Sequence, residues 1–232
     1  MKPMRRHQLV WLDEHAWYRI LAIASSSDGR SHSIATESAD CLAHWAQQRW
    51  PLVITRQRAE ACSSLPDAAL ALGLAAPARW GRQAISVSAP LRGVARLGDF
   101  PLAVELGPEL PAAAQAGWGL LCEHLSRLGV TARVYGSYGW QRLTGMSYVH
   151  GASDIDLLMD VGTAAQADQA CAALRAAAPG NVRIDGELAF PDGAAVAWRE
   201  WLRCRSGQTD KILVKRFDRA TLEHASAWEV AA

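Results

Sequence analysis

Apolar and polar positions along this chain repeat with two periods, and each change of period marks an element. Leu9–Leu12 is a short apolar run behind the basic cluster Arg5-Arg6. Asp13 stands where a cap is needed for a helix through residues 18–24, and residues 25–33 read as a polar loop. Residues 37–50 carry Leu42, Trp45 and Ala46 on one stripe and predict a helix. Residues 51–55 are apolar and β-branched and predict a strand, followed by Arg56 and Arg58. Residues 65–74 read as a short Ala/Leu helix with Pro66 in its first turn. Pro77 and Gly81 punctuate residues 75–81, which places a boundary between a small α/β accessory domain, residues 1–80, and a larger domain, residues 81–232.

In the second half, residues 85–87 predict a strand and residues 89–101, with Pro90, Gly93, Gly98 and Pro101, a loop. Residues 111–128 predict a helix, with Leu120, Leu121, Leu125 and Leu128 at helical spacing and Gly129 at its end. It leads into an apolar strand over residues 132–135 that stops at Gly136-Ser137. A polar excursion follows, then a second strand over residues 155–159. Residues 163–178 read as helix stopped by Pro179-Gly180, residues 182–190 as strand, and residues 195–204 as its antiparallel partner across a turn at 191–193. Residues 211–217 predict another strand, and residues 218–228 a closing helix capped by Asp218. Mixed runs of helix and strand with antiparallel neighbours make the class α+β.

The chemistry gathers at the second apolar strand. Asp154 and Asp156 are two apart, so on a strand they project to one side while Ile155 and Leu157 face a core. Adjacent carboxylates repel, and burial without a partner raises their pKa values. A divalent cation removes that conflict, and oxygen ligands suit Mg²⁺, with Mn²⁺ as a substitute. Gly136 lets backbone approach a ligand closely, and the Ser137 hydroxyl with nearby amides suits phosphate. A third carboxylate is expected on the strand after the helix at 163–178, where Asp185 and Glu187 share a face and Asp185 is favoured. Together Asp154, Asp156 and Asp185 form a candidate catalytic and metal-binding set for phosphoryl transfer. Basic residues gather late, and Lys211 is the one assigned to phosphate; the others read as a solvated face or a docking surface for an acidic partner. His150 reads equally as a phosphate donor or a plain loop residue, and Trp140 as a base-stacking platform or a wedge.

Composition narrows the classes. A net charge of +1 over 232 residues gives no bulk basic signal for long nucleic acid, so phosphate binding must be local. The 5 cysteines are scattered, which argues against a zinc site or a disulfide framework and for a reducing, cytoplasmic setting. The apolar stretches are too short or too interrupted for a signal sequence or a membrane span. The 10 tryptophans are mostly core or interface fillers.

Gly-Ser after one strand and Asp-x-Asp on the next resembles the nucleotidyltransferase superfamily that includes DNA polymerase beta, here with a long spacer, residues 138–153. The wider set RHQLVWL, YGSYGWQRLTGMSYVHGASDIDLL, RIDGELAF, AVAWRE and KILVK resembles the phosphoribosyl-dephospho-CoA transferases, the synthases of the holo acyl-carrier protein of malonate decarboxylase. The resemblance implies a polymerase beta-like mixed sheet with flanking helices. It implies triphosphoribosyl-dephospho-CoA as donor, a serine of the malonate decarboxylase acyl-carrier subunit as acceptor and pyrophosphate as leaving group. Carried onto this chain, Gly136 and Ser137 hold phosphate, and Asp154 and Asp156 bind Mg²⁺. Residues 1–80 are left to hold either the carrier or the dephospho-CoA end. Two other readings stay open: a different nucleotidyltransferase, such as an adenylyltransferase or the citrate lyase equivalent, and a non-catalytic nucleotide-binding module.

Overall fold

Two runs of period-2 burial organise the chain into two sheets. The computed structural model describes residues 4–25, 36–57, 68–177, 182–224 and Trp228. It divides into one unit of Met1–Asp99 with Met146–Tyr148, and a second of Phe100–Gly145 with Val149–Ala232.

The first unit is built on a five-stranded sheet of β1 (Leu9–Leu12), β2 (Leu52–Ile54), β3 (Ala69–Ala75), β4 (Ala84–Pro90) and β5 (Val94–Gly98). The order is β4-β3-β2-β1-β5, antiparallel throughout. Helices α1 (Glu14–Ser25) and α2 (Thr36–Gln48) complete it. As expected, the Asp13 carboxylate caps α1, accepting from Ala16 N at 2.8 Å. Leu42 and Trp45 of α2 are buried.

Three expectations are corrected in this unit. The Ala/Leu run expected as helix at 65–74 is strand β3 from residue 69, and residues 65–67 lie outside the described residues. Ala and Leu favour helix, but Leu70, Leu72 and Leu74 bury on alternate positions between β2 and β4, and tertiary pairing overrides propensity. The buried Gln57 amide supports the same strand, accepting from Ala71 N at 2.8 Å and donating to Ala71 O at 2.9 Å. The loop expected at 89–101 holds a 3-10 turn, Leu91–Gly93, and strand β5 on β1. The boundary expected at residue 80 is a β3–β4 hairpin connection, so residues 84–98 belong to the first sheet.

The second unit is a six-stranded mixed sheet of β6 (Thr131–Tyr135), β7 (Ile155–Asp160), β8 (Ile184–Ala189), β9 (Ala195–Ala197), β10 (Lys211–Lys215) and β11 (Ala220–His224). The order is β11-β10-β9-β8-β7-β6, and only β7 and β8 run parallel. Helix α5 (Ala164–Ala176) makes the crossover that parallel strands need. Thr163 caps it through Gln166 N. Ile155, Leu157, Met159, Leu188, Ile212 and Val214 point to one face of the sheet. There they meet α3 (Ala112–Arg127), α5 and α6 (Trp198–Arg205) in one core. Trp118 of α3 is buried there, with its indole N–H on Ala103 O at 2.9 Å.

Two further expectations change here. The strand expected at 195–204 ends at Ala197 and becomes α6, because Trp198, Trp201 and Cys204 bury at helical rather than alternating spacing. Of the closing helix expected at 218–228, residues 220–224 are strand β11 on β10, and residues 225–227 lie outside the described residues. Arg216 N donates to Arg219 O at 2.7 Å to close that hairpin, and Asp218 pairs with Arg219 instead of capping.

Gly186 sits where β8 lies against β7. Its φ is +146°, and a Cβ on it would lie 2.0 Å from Leu157 O. Gly186→Ala is therefore expected to lower unfolding free energy by about 2–4 kcal/mol in urea denaturation. Wild-type stability in that variant would contradict the parallel register.

Candidate active site

The opposite face of the second sheet carries the charge. In the register, Tyr135 of β6 faces Asp156 of β7, which faces Asp185 of β8. The two expected carboxylates are thus abreast on parallel strands. Glu187 lies on the same face one pair further along, opposite Leu158.

Gly136 closes this site from the β6 end. The chain leaves β6 and enters a helix at once, α4 (Gly136–Thr144), where the sequence predicts only a polar excursion. Gly136 has φ +59°, and a Cβ on it would stand 1.9 Å from Asp156 Oδ2. Backbone and carboxylate are thus in contact, and glycine is the residue that permits it. Gly139, one turn on, packs against Val134 O with no room for a side chain. Ser137 is half-buried in the first turn of α4. The first turn of α4 thus starts against the Asp156 carboxylate, and amides at a helix start are groups that suit an anion.

Each acidic side chain has a different partner. Arg183 donates to Asp154 twice, Nε to Oδ1 at 2.7 Å and Nη2 to Oδ2. Asp185 Oδ1 accepts from Gly186 N at 2.9 Å. Glu187 is buried and accepts from Lys215 Nζ at 2.6 Å. Asp156 is left with the unresolved charge, and its pKa is pushed up to about 6. Burial is the main cause, followed by repulsion from Asp185, Asp154 and Glu187, against a smaller opposing pull from Arg183.

This donor set has the chemistry of a hard-cation site: anionic oxygens, one of them destabilised by its like-charged neighbours. Among the described residues, no three acidic, His or Cys side chains stand close enough to grip an ion as they are. Asp154 is turned to Arg183 and Glu187 to Lys215. Asp156 and Asp185 fit the role of metal ligands best, with Asp154 joining once freed.

The other expected site residues separate. Lys211 is exposed at the start of β10, and the lysine that reaches the acidic face is Lys215. Trp140 is buried, edge-on to Phe100 with centroids 5.3 Å apart, and so wedges the loop. His150 orders the turn before Asp154, its Nδ1 accepting from Ala152 N at 3.2 Å. Most late basic residues have partners: Arg205 with Asp168, Arg216 with Glu223, Arg219 with Asp218, and Arg199 on Ile184 O. Arg183 went unremarked in the sequence, although its spacing of two from Asp185 is the signal that selected Asp185 and Glu187.

Comparison with known proteins agrees with the two-part architecture. The family model "Phosphoribosyl-dephospho-CoA transferase MdcG N-terminal domain" matches residues 5–100. The model "Phosphoribosyl-dephospho-CoA transferase MdcG C-terminal domain" matches residues 101–226. The protein of Bradyrhizobium diazoefficiens called phosphoribosyl-dephospho-CoA transferase is 35% identical over 230 residues, covering 95% of this chain and 90% of the relative. The protein of the same name in Xanthomonas axonopodis pv. citri is 34% identical over 215 residues, covering 90% of this chain and 89% of the relative. No solved structure matches the chain.

The Asp156 shift fixes a pH dependence. Its ordinary value is 3.8 and its value in the fold about 6, so the folded state holds more protons between the two. The stability this contributes is present below the lower value and lost as pH rises through the upper one. Without divalent cation, wild-type melting temperature should fall more between about pH 4 and about pH 7.5 than that of Asp156→Asn. Parallel profiles for the two proteins would contradict the assigned shift.

Proposed function

This chain belongs to the phosphoribosyl-dephospho-CoA transferase family, and on that premise we propose that it loads the acyl-carrier subunit of malonate decarboxylase. The donor is 2′-(5″-triphosphoribosyl)-3′-dephospho-CoA. A serine hydroxyl of the carrier attacks the α-phosphate in line, a phosphodiester forms and pyrophosphate leaves. The observation that carries this reading is Asp156 abreast of Asp185 with Gly136 packed on Asp156, beside the α4 N-terminus. Carboxylates abreast and a phosphate-binding turn next to them are the parts that a nucleotidyltransferase core requires.

The roles follow from position. Asp156 and Asp185 hold Mg²⁺, with Asp154 as a further ligand, and Mn²⁺ suits the same oxygens. A bound divalent cation supplies charge neutralisation of the leaving pyrophosphate and acidification of the attacking hydroxyl. Asp185 stands on β8 beside Asp156, and its carboxylate is the group assigned to the incoming hydroxyl. Gly136 and the Ser137 hydroxyl with the first-turn amides of α4 hold and orient phosphate oxygens. The Lys215–Glu187 pair keeps Glu187 out of the ligand set and places an ammonium on the acidic face.

Intact mass of the carrier subunit tests the reading, after incubation with this chain, Mg²⁺ and the triphosphoribosyl donor, with ATP as a parallel donor. The expected result is a Mg²⁺-dependent gain equal to donor minus pyrophosphate, with Asp156→Asn slower by about 100-fold or more. A gain with ATP alone would assign the chain to adenylyl transfer. Undiminished transfer by Asp156→Asn would contradict the site.

A further inference from the structure

The fork between Arg183 and Asp154 is the feature that the reaction outlined above does not use. We propose that Arg183 is an internal counter-ion which a divalent cation displaces from Asp154, and that the displaced guanidinium then takes the triphosphate of the donor. The inference rests on the reading of Asp154, Asp156 and Asp185 as a cation site.

Geometry supplies the argument. The Arg183 backbone is pinned, because Ile155 N donates to Arg183 O at 2.9 Å just ahead of the β7–β8 ladder. Its side chain is therefore anchored beside Asp154 yet stays free to turn: 69% of it is exposed, against 24% for Asp154. Both Nε and Nη2 engage the carboxylate, so both Asp154 oxygens are spent on the guanidinium. A ligand occupied in this way is unavailable to a metal, which accounts for the open arrangement of the carboxylates. Two other cations on this face are engaged elsewhere, Lys215 with Glu187 and Arg133 with Phe100 O.

The exchange is favourable on electrostatic grounds. Arg183 engages Asp154 and leaves Asp156 facing Asp185 across the β7–β8 ladder. A divalent ion shared among Asp154, Asp156 and Asp185 offsets more charge, and it releases a guanidinium whose planar donors match phosphate oxygens as well as they match a carboxylate. Metal loading thus converts an acidic face that repels a triphosphate into one that receives it. An inert surface ion pair would make the opposite statement: its removal would leave metal and phosphate binding alone.

The test reads two affinities of opposite sign. Mn²⁺ binding to the intact chain is followed by electron paramagnetic resonance of the free ion, first with Mn²⁺ alone and then with Mn²⁺ and inorganic tripolyphosphate. The proteins are wild type, Arg183→Ala, Arg183→Lys and Asp156→Asn. Arg183→Ala is expected to bind Mn²⁺ alone about threefold or more tighter than wild type, and tripolyphosphate with Mn²⁺ about tenfold or more weaker. Arg183→Lys should fall between in both. Unchanged or weaker Mn²⁺ binding in Arg183→Ala, with binding lost in Asp156→Asn, would overturn the counter-ion role and leave the carboxylate site standing. Unchanged tripolyphosphate affinity would overturn the phosphate role. Equal Mn²⁺ binding by wild type and Asp156→Asn would overturn the cation site itself, and the proposal with it.

Discussion

Like charges held side by side in a half-buried place must be compensated, and the second unit of this protein is arranged around that requirement. Asp156 cannot move away from Asp185, because the β7–β8 ladder fixes their backbones opposite one another. It cannot retreat into solvent on the other side, because Gly136 lies against its carboxylate. Two of its neighbours have cations built into the fold, Arg183 for Asp154 and Lys215 for Glu187. Among the described residues Asp156 and Asp185 have no ion pair of that kind, and burial first, then the neighbouring carboxylates, push the Asp156 pKa up. A site short of positive charge in its resting fold suits the divalent cation that we propose for it.

The rest of the unit serves that placement. The hydrophobic face of the sheet is buried against α3, α5 and α6, so the strands hold the carboxylates on a stiff support. The crossover through α5 makes β7 and β8 parallel, which brings two carboxylates from distant parts of the chain level with each other. Gly186 allows β8 to close on β7 and donates its own amide to Asp185. Membership of the phosphoribosyl-dephospho-CoA transferase family gives this arrangement its chemical context.

Much of the site was legible in the sequence because the signals are local. Gly136-Ser137 at a strand end, and Asp154 and Asp156 set two apart at the start of another, depend on a few residues each. Asp185 was found by its place after a helix, and the ladder puts it opposite Asp156. The core helix α3 and the Asp13 cap were legible for the same reason. What escaped depends on contacts distant in the chain. Strand β3 has a helix-forming composition and is a strand because β2 and β4 flank it. The early end of β9 follows from the spacing of Trp198, Trp201 and Cys204 against one core. Strand β11 exists because β10 offers an edge. The division after Asp99 follows from β5 pairing with β1, which no local punctuation reveals. The spacing of Arg183 puts it on the face of Asp185, but its pairing with Asp154 depends on β7 and β8 lying side by side.

We propose that Asp185, rather than Glu187, joins Asp156 in holding a divalent cation. The most direct measurement is the rise in melting temperature that Mn²⁺ produces in Asp185→Asn and in Glu187→Gln, each compared with its own metal-free form. The account predicts that the rise disappears in Asp185→Asn and persists in Glu187→Gln, whatever the baseline stability of each. A rise kept in Asp185→Asn and lost in Glu187→Gln would contradict it.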